Sequence, residues 1–336
     1  MAYPYNIYIF PVMRSGSRSE VILDIDTVNF HKQRRLDFNK WIYEGVPYIS
    51  ANAEKVLADK VINKGKEHEE LHVSDYDMKR VEQEMETISK WVEEGAKEEY
   101  VVSGLNGFLR KLLYRELAKK FPHLYSSTKD LERGRKEIIL KAVTLEEKKV
   151  LQDKKIEEKL EEIRKQSGAL RLLRLLVNLK APIVGHNPIF DLMFIYSHLC
   201  NELPNTWEEF KQEIHGLFPV IYDTMLIFGD EKVKKLSSEK QSSALEAMYL
   251  FVSKSKELAG ISINIEVTTG LESKYLQTEH YHEAGYDSYI TGYSFIKLME
   301  YIGKEDFAKY KNQLYVHKLP YNYNLEGKEV LHDSVM

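Results

Sequence analysis

The chain has 336 residues, 43% of them hydrophobic and 30% charged, with a formal net charge of −4. That length suits one large domain or a main domain with a small insert, and the near-balanced charge excludes a broadly basic surface that coats nucleic acid while leaving room for a local basic groove. The single cysteine, Cys200, excludes an internal disulfide framework, and no apolar run approaches the ~20 residues needed to cross a bilayer.

Three zones follow in chain order. In the first, 1–60, Tyr5–Val12 reads as a strand, Asp24 and Asp26 look like strand-borne acids, and FNKWIYEGVPYIS ends in a turn at Gly45–Pro47. The second, 61–166, is charged and mainly helical. Met78, Val81, Met85, Ile88 and Trp91 recur at three and four, which predicts one apolar face on a helix over Tyr76–Glu98. Phe108, Leu112, Leu113 and Leu117 continue the pattern among lysines and arginines, and Phe108–Phe121 is a candidate RNA surface. STKDLERGRKE reads as a polar helical stretch, Lys136–Val143 as a strand, and Glu146–Arg164 as a helix.

The third zone, 167–336, alternates strands and helices. Helices are predicted over Leu170–Leu179, from Asp191 to His198, from Thr206 to Phe218, over Ser243–Val252 and over Ala284–Tyr301. Thr206 with Glu209, and Ser243 with Glu246, have capping-box spacing. Strands are predicted at Pro182–Gly185, Pro219–Asp223 and Ile261–Val267, giving an α/β fold with helices on the faces of a mixed sheet.

Two patterns carry the chemistry. GHNPIFD places Asp191 in the first turn of a helix after a short strand, and HEAGYD places His282 five residues ahead of Asp287 at another helix start. Phosphodiester hydrolysis needs an activated water and a stabilised leaving oxygen, which two Mg²⁺ ions about 4 Å apart can clamp. Mg²⁺ takes hard oxygen ligands, so Asp191 and Asp287 are the candidate metal ligands, and a neutral His282 is the candidate general base. Taken singly, each has a plainer reading as a helix cap or a surface histidine. His186 reads as a structural hydrogen-bonder and Asp223 as a cap.

In combination, Asn-x-x-Phe-Asp followed by His-x4-Asp resembles the second and third motifs of the DEDDh exonucleases. The segments FNKWIYEGVPYIS, GLNGFLRKLLY, APIVGHNPIFD, FKQEIHGLFPVIYDT, HEAGYDSYITG and PYNYNLEG look like landmarks of the poly(A)-specific ribonucleases and their pre-piRNA-trimming relatives, CAF1-type enzymes, from about Tyr5 to Gly327. The resemblance implies an RNase H-like exonuclease core with a small helical insert where zone two lies. It also implies two-metal Mg²⁺ catalysis by Asp191, His282 and Asp287 on the 3′ end of single-stranded RNA, either poly(A) tails or small-RNA precursors. Such proteins often dimerise, which leaves a homodimer open. The expected compartment is the cytoplasm or nucleus, or the mitochondrial surface if a membrane tail belongs to the protein.

The family's first motif, Asp-x-Glu on an apolar strand ahead of Tyr5, is not found. The sole Asp-x-Glu, Asp130-Leu131-Glu132, lies in zone two. The core is therefore expected to be N-terminally incomplete. With two of the family's four carboxylates missing, the chain alone is expected to be nearly inactive, ~3 decades down or about 4 kcal/mol of barrier. Met225 stands where the family often has a lysine for a backbone phosphate. Alternatives are a catalytically degenerate RNA-binding or regulatory homologue, and a DEDDh nuclease acting on DNA.

Overall fold

The structure is a computed structural model that describes residues 2–11, 20–63, 73–236, 242–263, 275, 280–317 and 319–331. The elements in chain order are β1 (Ile9–Pro11), α1 (Ile25–Gln33), α2 (Phe38–Glu44), β2 (Val46–Tyr48), α3 (Ala51–Ile62), α4 (Asp75–Glu93), β3 (Tyr100–Val102), α5 (Gly107–Lys120), β4 (Leu124–Asp130), β5 (Lys136–Ala142) and α6 (Leu145–Gln166). There follow α7 (Gly168–Leu179), β6 (Ile183–Gly185), α8 (Ile189–Leu199), α9 (Trp207–Leu217), β7 (Ile221–Asp223), α10 (Thr224–Phe228), α11 (Glu231–Lys234), α12 (Leu245–Lys254), α13 (Ala284–Ile302), α14 (Lys304–Phe307), β8 (Gln313–Leu314), β9 (Tyr321–Asn324) and β10 (Val330–Leu331). The chain divides into two compact units, Leu57–Ile163 and the combination of Met1–Val56 with Arg164–Met336.

In the Leu57–Ile163 unit, Ser74 caps α4 by accepting from the Asp77 N–H at 3.2 Å, and the acids of the first turn suit the helix dipole. Val81, Met85 and Ile88 then fall on one face. They pack with Leu109, Leu112, Leu113 and Leu117 of α5 and with Ile138 and Leu140 of β5. This unit holds more strand than its charge pattern suggests: β3, β5 and β4 form an antiparallel sheet in that order. The stretch STKDLERGRKE is not an α-helix, and only Glu132–Gly134 makes a single 3-10 turn. It is the end of β4 and a hairpin turn into β5, with Asp130 opposite Lys136 and Gly134 at φ +72°. Alternate side chains of a strand with one solvated face can be polar, which hides the strand from a helical reading.

In the other unit, β1 and β2 pair in parallel, as do β6 and β7, while β8, β9 and β10 form an antiparallel sheet. One core gathers Leu170, Leu173, Leu192, Phe210, Ile214 and Ile221, and a second gathers Ile227, Met248, Val252, Leu258, Leu298 and Ile302. Asn312, buried and at φ +58°, accepts from the Ile221 N–H at 2.7 Å and donates to the Pro219 carbonyl at 2.9 Å, tying its side chain to the start of β7. Short strands and long helices make the chain mixed α/β.

Several local expectations change. Asp24 is the N-cap of α1 and Asp26 lies in its first turn, so neither is on a strand. The strand at the N-terminal end shortens to Ile9–Pro11, and Val12 lies outside the described residues. The strand expected over Ile261–Val267 also falls mostly outside them, and its described part, 261–263, is not strand. Thr206 and Glu209 form the capping box, but the N-cap of α12 is Ala244, one residue after Ser243, and has no side chain that can cap. Thr206→Ala is expected to cost about 1 kcal/mol in urea unfolding. A loss below a few tenths of that would mean the box contributes nothing.

Candidate active site

The β6–α8 turn is fixed from within. Gly185 sits beside Asp223 in the parallel register, and a Cβ there would lie 2.5 Å from the Pro188 Cβ, so the position tolerates no side chain. Asn187 follows at φ +53°, a left-handed conformation that asparagine adopts more readily than most residues. Its N–H donates to Asp223 Oδ1 at 2.8 Å. The same oxygen takes the Met225 N–H at 3.0 Å, and Oδ2 takes the Tyr315 N–H at 2.9 Å. Asp223 is fully buried; burial pushes its pKa up to about 6, against the pull of these backbone donors. His186 bonds to Thr224 Oγ1 through Nδ1 at 3.0 Å and to the Ser243 carbonyl through Nε2 at 2.9 Å. Both residues therefore have the structural roles expected of them.

This turn delivers Asp191 to the first turn of α8. The residue is exposed, yet the protein around its carboxyl pushes its pKa upward, partly relieved by its own backbone N–H. The second half of the site precedes α13. His282 stands at φ +68°, and its N–H donates to Asp287 Oδ1 at 3.2 Å across the helix start. Burial pushes the Asp287 carboxyl up, the His282 N–H and ring draw it down, and Glu283 adds to the rise. The His282 ring is exposed and meets Phe30 of α1 edge to face, with centroids 5.2 Å apart. Left-handed φ values at two non-glycine residues, each close to a candidate ligand, are the kind of local strain that clusters at functional sites.

Sequence reasoning missed the anchor of the α13 turn. Asn6 Oδ1 accepts from the Gly285 N–H at 2.6 Å, while Nδ2 donates to Glu283 Oε1 at 2.5 Å and to the Tyr275 hydroxyl at 2.8 Å. Tyr275 in turn donates to Glu283, and its own pKa is pushed up to about 12, by burial first and then by this carboxylate. A Cβ on Gly285 would meet the Tyr275 oxygen at 2.7 Å, so glycine is what lets the three approach. The one sequence signal was the Glu-x-Gly within HEAGYD; nothing links it to a residue 279 positions away.

The structure thus brings His282 and Asp287 together and puts Asp191 on a separate helix. Helix α13 packs against β6, the strand that leads to Asp191. Among the described residues, no three histidine, cysteine or acidic side chains converge as a metal-binding group.

The CAF1 family ribonuclease profile matches residues 1–295, a span that includes Asp191, His282 and Asp287. The chain belongs to this family. CAF1 ribonucleases have an RNase H-like fold, and the CAF1 exonucleases depend on divalent metal. The chain is 31% identical over 314 residues to the pre-piRNA 3′-exonuclease trimmer of Bombyx mori, covering 92% of this chain and 58% of that protein. It is 26% identical over 317 residues to the poly(A)-specific ribonuclease PARN of Xenopus laevis, covering 89% and 49%. It is 24% identical over 310 residues to the poly(A)-specific ribonuclease PNLDC1 of Homo sapiens, covering 89% and 56%. The chain spans about half the length of the curated relatives it matches.

The donor chemistry fits the metal a CAF1 exonuclease uses. Asp191 and Asp287 are carboxylates pushed upward by burial, and among the described residues neither is paired with a lysine or arginine. A hard divalent cation that keeps several of its waters needs only a few such oxygens.

Proposed function

We propose that this chain carries the nuclease core of a 3′→5′ exoribonuclease that hydrolyses RNA ends to 5′-nucleotides, with Asp191 and Asp287 as oxygen ligands for Mg²⁺ and His282 as general base. The observation that carries this reading is the α13 junction. A left-handed turn holds His282 with its N–H on the Asp287 carboxylate and its exposed ring against Phe30. Names of the relatives support the substrate class: one is a pre-piRNA 3′-exonuclease and others are poly(A)-specific ribonucleases. Poly(A) tails and small-RNA precursors both present the free single-stranded 3′ end that the site would take.

When bound, Mg²⁺ supplies Lewis-acid stabilisation of the attacking and leaving oxygens. Asp191 and Asp287 hold negative charge where that cation would sit. His282 takes the proton of the attacking water, its ring steadied by the edge of Phe30. On this reading residues 61–166 form the insert, and 1–60 with 167–336 form the two parts of the core. A second reading, an RNA-binding homologue that does not cut, is favoured by the lack of a third converging metal ligand among the described residues.

The test is incubation of the chain with 5′-labelled oligo(A) in Mg²⁺. Slow stepwise shortening from the 3′ end, stopped by EDTA, is expected. Internal fragments, or cleavage indifferent to the chelator, would contradict the proposal, and tight binding with no cleavage at all would favour the second reading.

A further inference from the structure

Beside His282 lies a cleft of about 450 Å³, lined among others by Asn6, Tyr8, His31, Arg34 and Arg35. Its cations are unspent. Among the described residues neither Arg34 nor Arg35 is in an ion pair with a carboxylate, both are exposed, and the Arg34 guanidinium stands 5.4 Å from the centroid of the Phe30 ring that meets His282. The acid on the wall, Glu283, is already held by Asn6 and Tyr275. The cleft therefore carries two permanent positive charges against one engaged carboxylate.

A second observation is independent of the cleft. Helix α1 ends with the Leu36 N–H on the His31 carbonyl at 3.0 Å and the Arg35 N–H on the Lys32 carbonyl at 3.1 Å, and Arg35 sits at φ +59°. That left-handed closing position is ordinarily glycine, since a Cβ there is strained. An arginine at this place carries strain that glycine would relieve, and its side chain faces the cleft.

We propose that this cleft is a nucleotide-phosphate site, in which Arg34 and Arg35 grip a phosphate of the RNA strand or of the released 5′-nucleotide next to His282. The identity of the ligand rests on the exoribonuclease reading; the anion chemistry rests on the cleft alone. Guanidinium groups suit it because their planar forks bind phosphate oxygens in pairs.

The test uses the full chain without divalent metal, so that binding is read apart from cleavage. Affinities for fluorescent oligo(A) and for AMP, with adenosine as the phosphate-free control, are measured over a KCl series for wild type, Arg34→Gln and Arg35→Gly. Each variant is expected to bind oligo(A) about tenfold more weakly, one charge-assisted contact being lost. The slope of log affinity against log salt should fall by roughly 0.7 per contact. Arg35→Gly is expected at the same time to raise Tm, a gain in stability with a loss of binding that a purely structural Arg35 would not give. A parallel loss of AMP affinity assigns the site to the product phosphate, and loss for oligo(A) alone assigns it to the strand. Unchanged affinity and slope for both ligands overturn the proposal. If trimming activity is present while these variants bind normally, the cleft assignment falls alone. If trimming is absent but the variants still lose anion binding, the cleft stands and the exonuclease reading falls.

Discussion

Asp287→Ala is expected to lower the rate of 3′-end trimming by ~3 powers of ten, equivalent to about 4 kcal/mol of barrier. The carboxylate has two duties that substitution can separate. One oxygen accepts the His282 N–H and so holds the left-handed turn, and the carboxylate's charge is what a divalent cation would meet. Asp287→Asn keeps an acceptor for that N–H and removes the charge. It is expected to be as inactive as the alanine variant, but with the thermal stability of wild type. Gel analysis of single-turnover trimming, beside a thermal melt, reads both. An asparagine variant that retains most activity would show that Asp287 serves the turn and not the metal. Removal of His282 should cost less, ~10²–10⁴-fold, the usual range for a general base. Glycine is the better replacement at that φ of +68° because it leaves the turn unstrained.

Asp223→Asn is expected to destabilise the fold by an amount that unfolding can still measure. The buried carboxylate serves three backbone N–H groups, two on Oδ1 and one on Oδ2. An amide offers a single oxygen, so at least one of those donors must face an NH₂ group, and a buried unpaired N–H costs ~1–3 kcal/mol. Alanine would orphan all three donors and is expected to leave too little folded protein to assay. The asparagine variant also carries a pH signature. The folded pKa of Asp223, about 6, lies above its ordinary 3.8, so the native state binds this proton more tightly than the unfolded chain. Its contribution to stability is therefore fully present below about pH 4, falls as pH rises toward 6, and is flat above that. The fall amounts to about 3 kcal/mol. Urea unfolding of wild type and variant across this range should show their stability difference changing by that order. A difference constant with pH would mean that Asp223 ionises like an ordinary surface carboxylate.

The fold was legible where local rules decide it. The apolar spacing of Val81, Met85 and Ile88 places α4 and its start, though the helix expected to reach Glu98 ends at Glu93 ahead of the left-handed Gly95 and Ala96, and Thr206 with Glu209 starts α9 as the capping pattern requires. It was illegible where tertiary partners decide. Helix α12 starts one residue later than the capping spacing implies, with Ala244 at its N-cap and the Ser243 carbonyl bonded to His186, and the polar strand β4 takes its identity from pairing with β5. The site divides in the same way. Asp191 and the His282–Asp287 spacing are short patterns on single elements. Asn6, Tyr275 and Glu283 meet only through the folded chain, and the cleft beside Arg35 exists only once residues 6–8 and 31–36 meet residues 282–284.

The central claim is that Asp191 and Asp287, on separate helices, serve one metal centre. Electron paramagnetic resonance of Mn²⁺ titrated into wild type, Asp191→Ala and Asp287→Ala tests it directly, Mn²⁺ standing in for Mg²⁺ at hard oxygen ligands. Each single substitution is expected to abolish the same bound-metal signal while the fold, checked by circular dichroism, is unchanged. A variant that keeps the wild-type signal would mean that its carboxylate lies outside the centre, and the two-carboxylate account would be wrong.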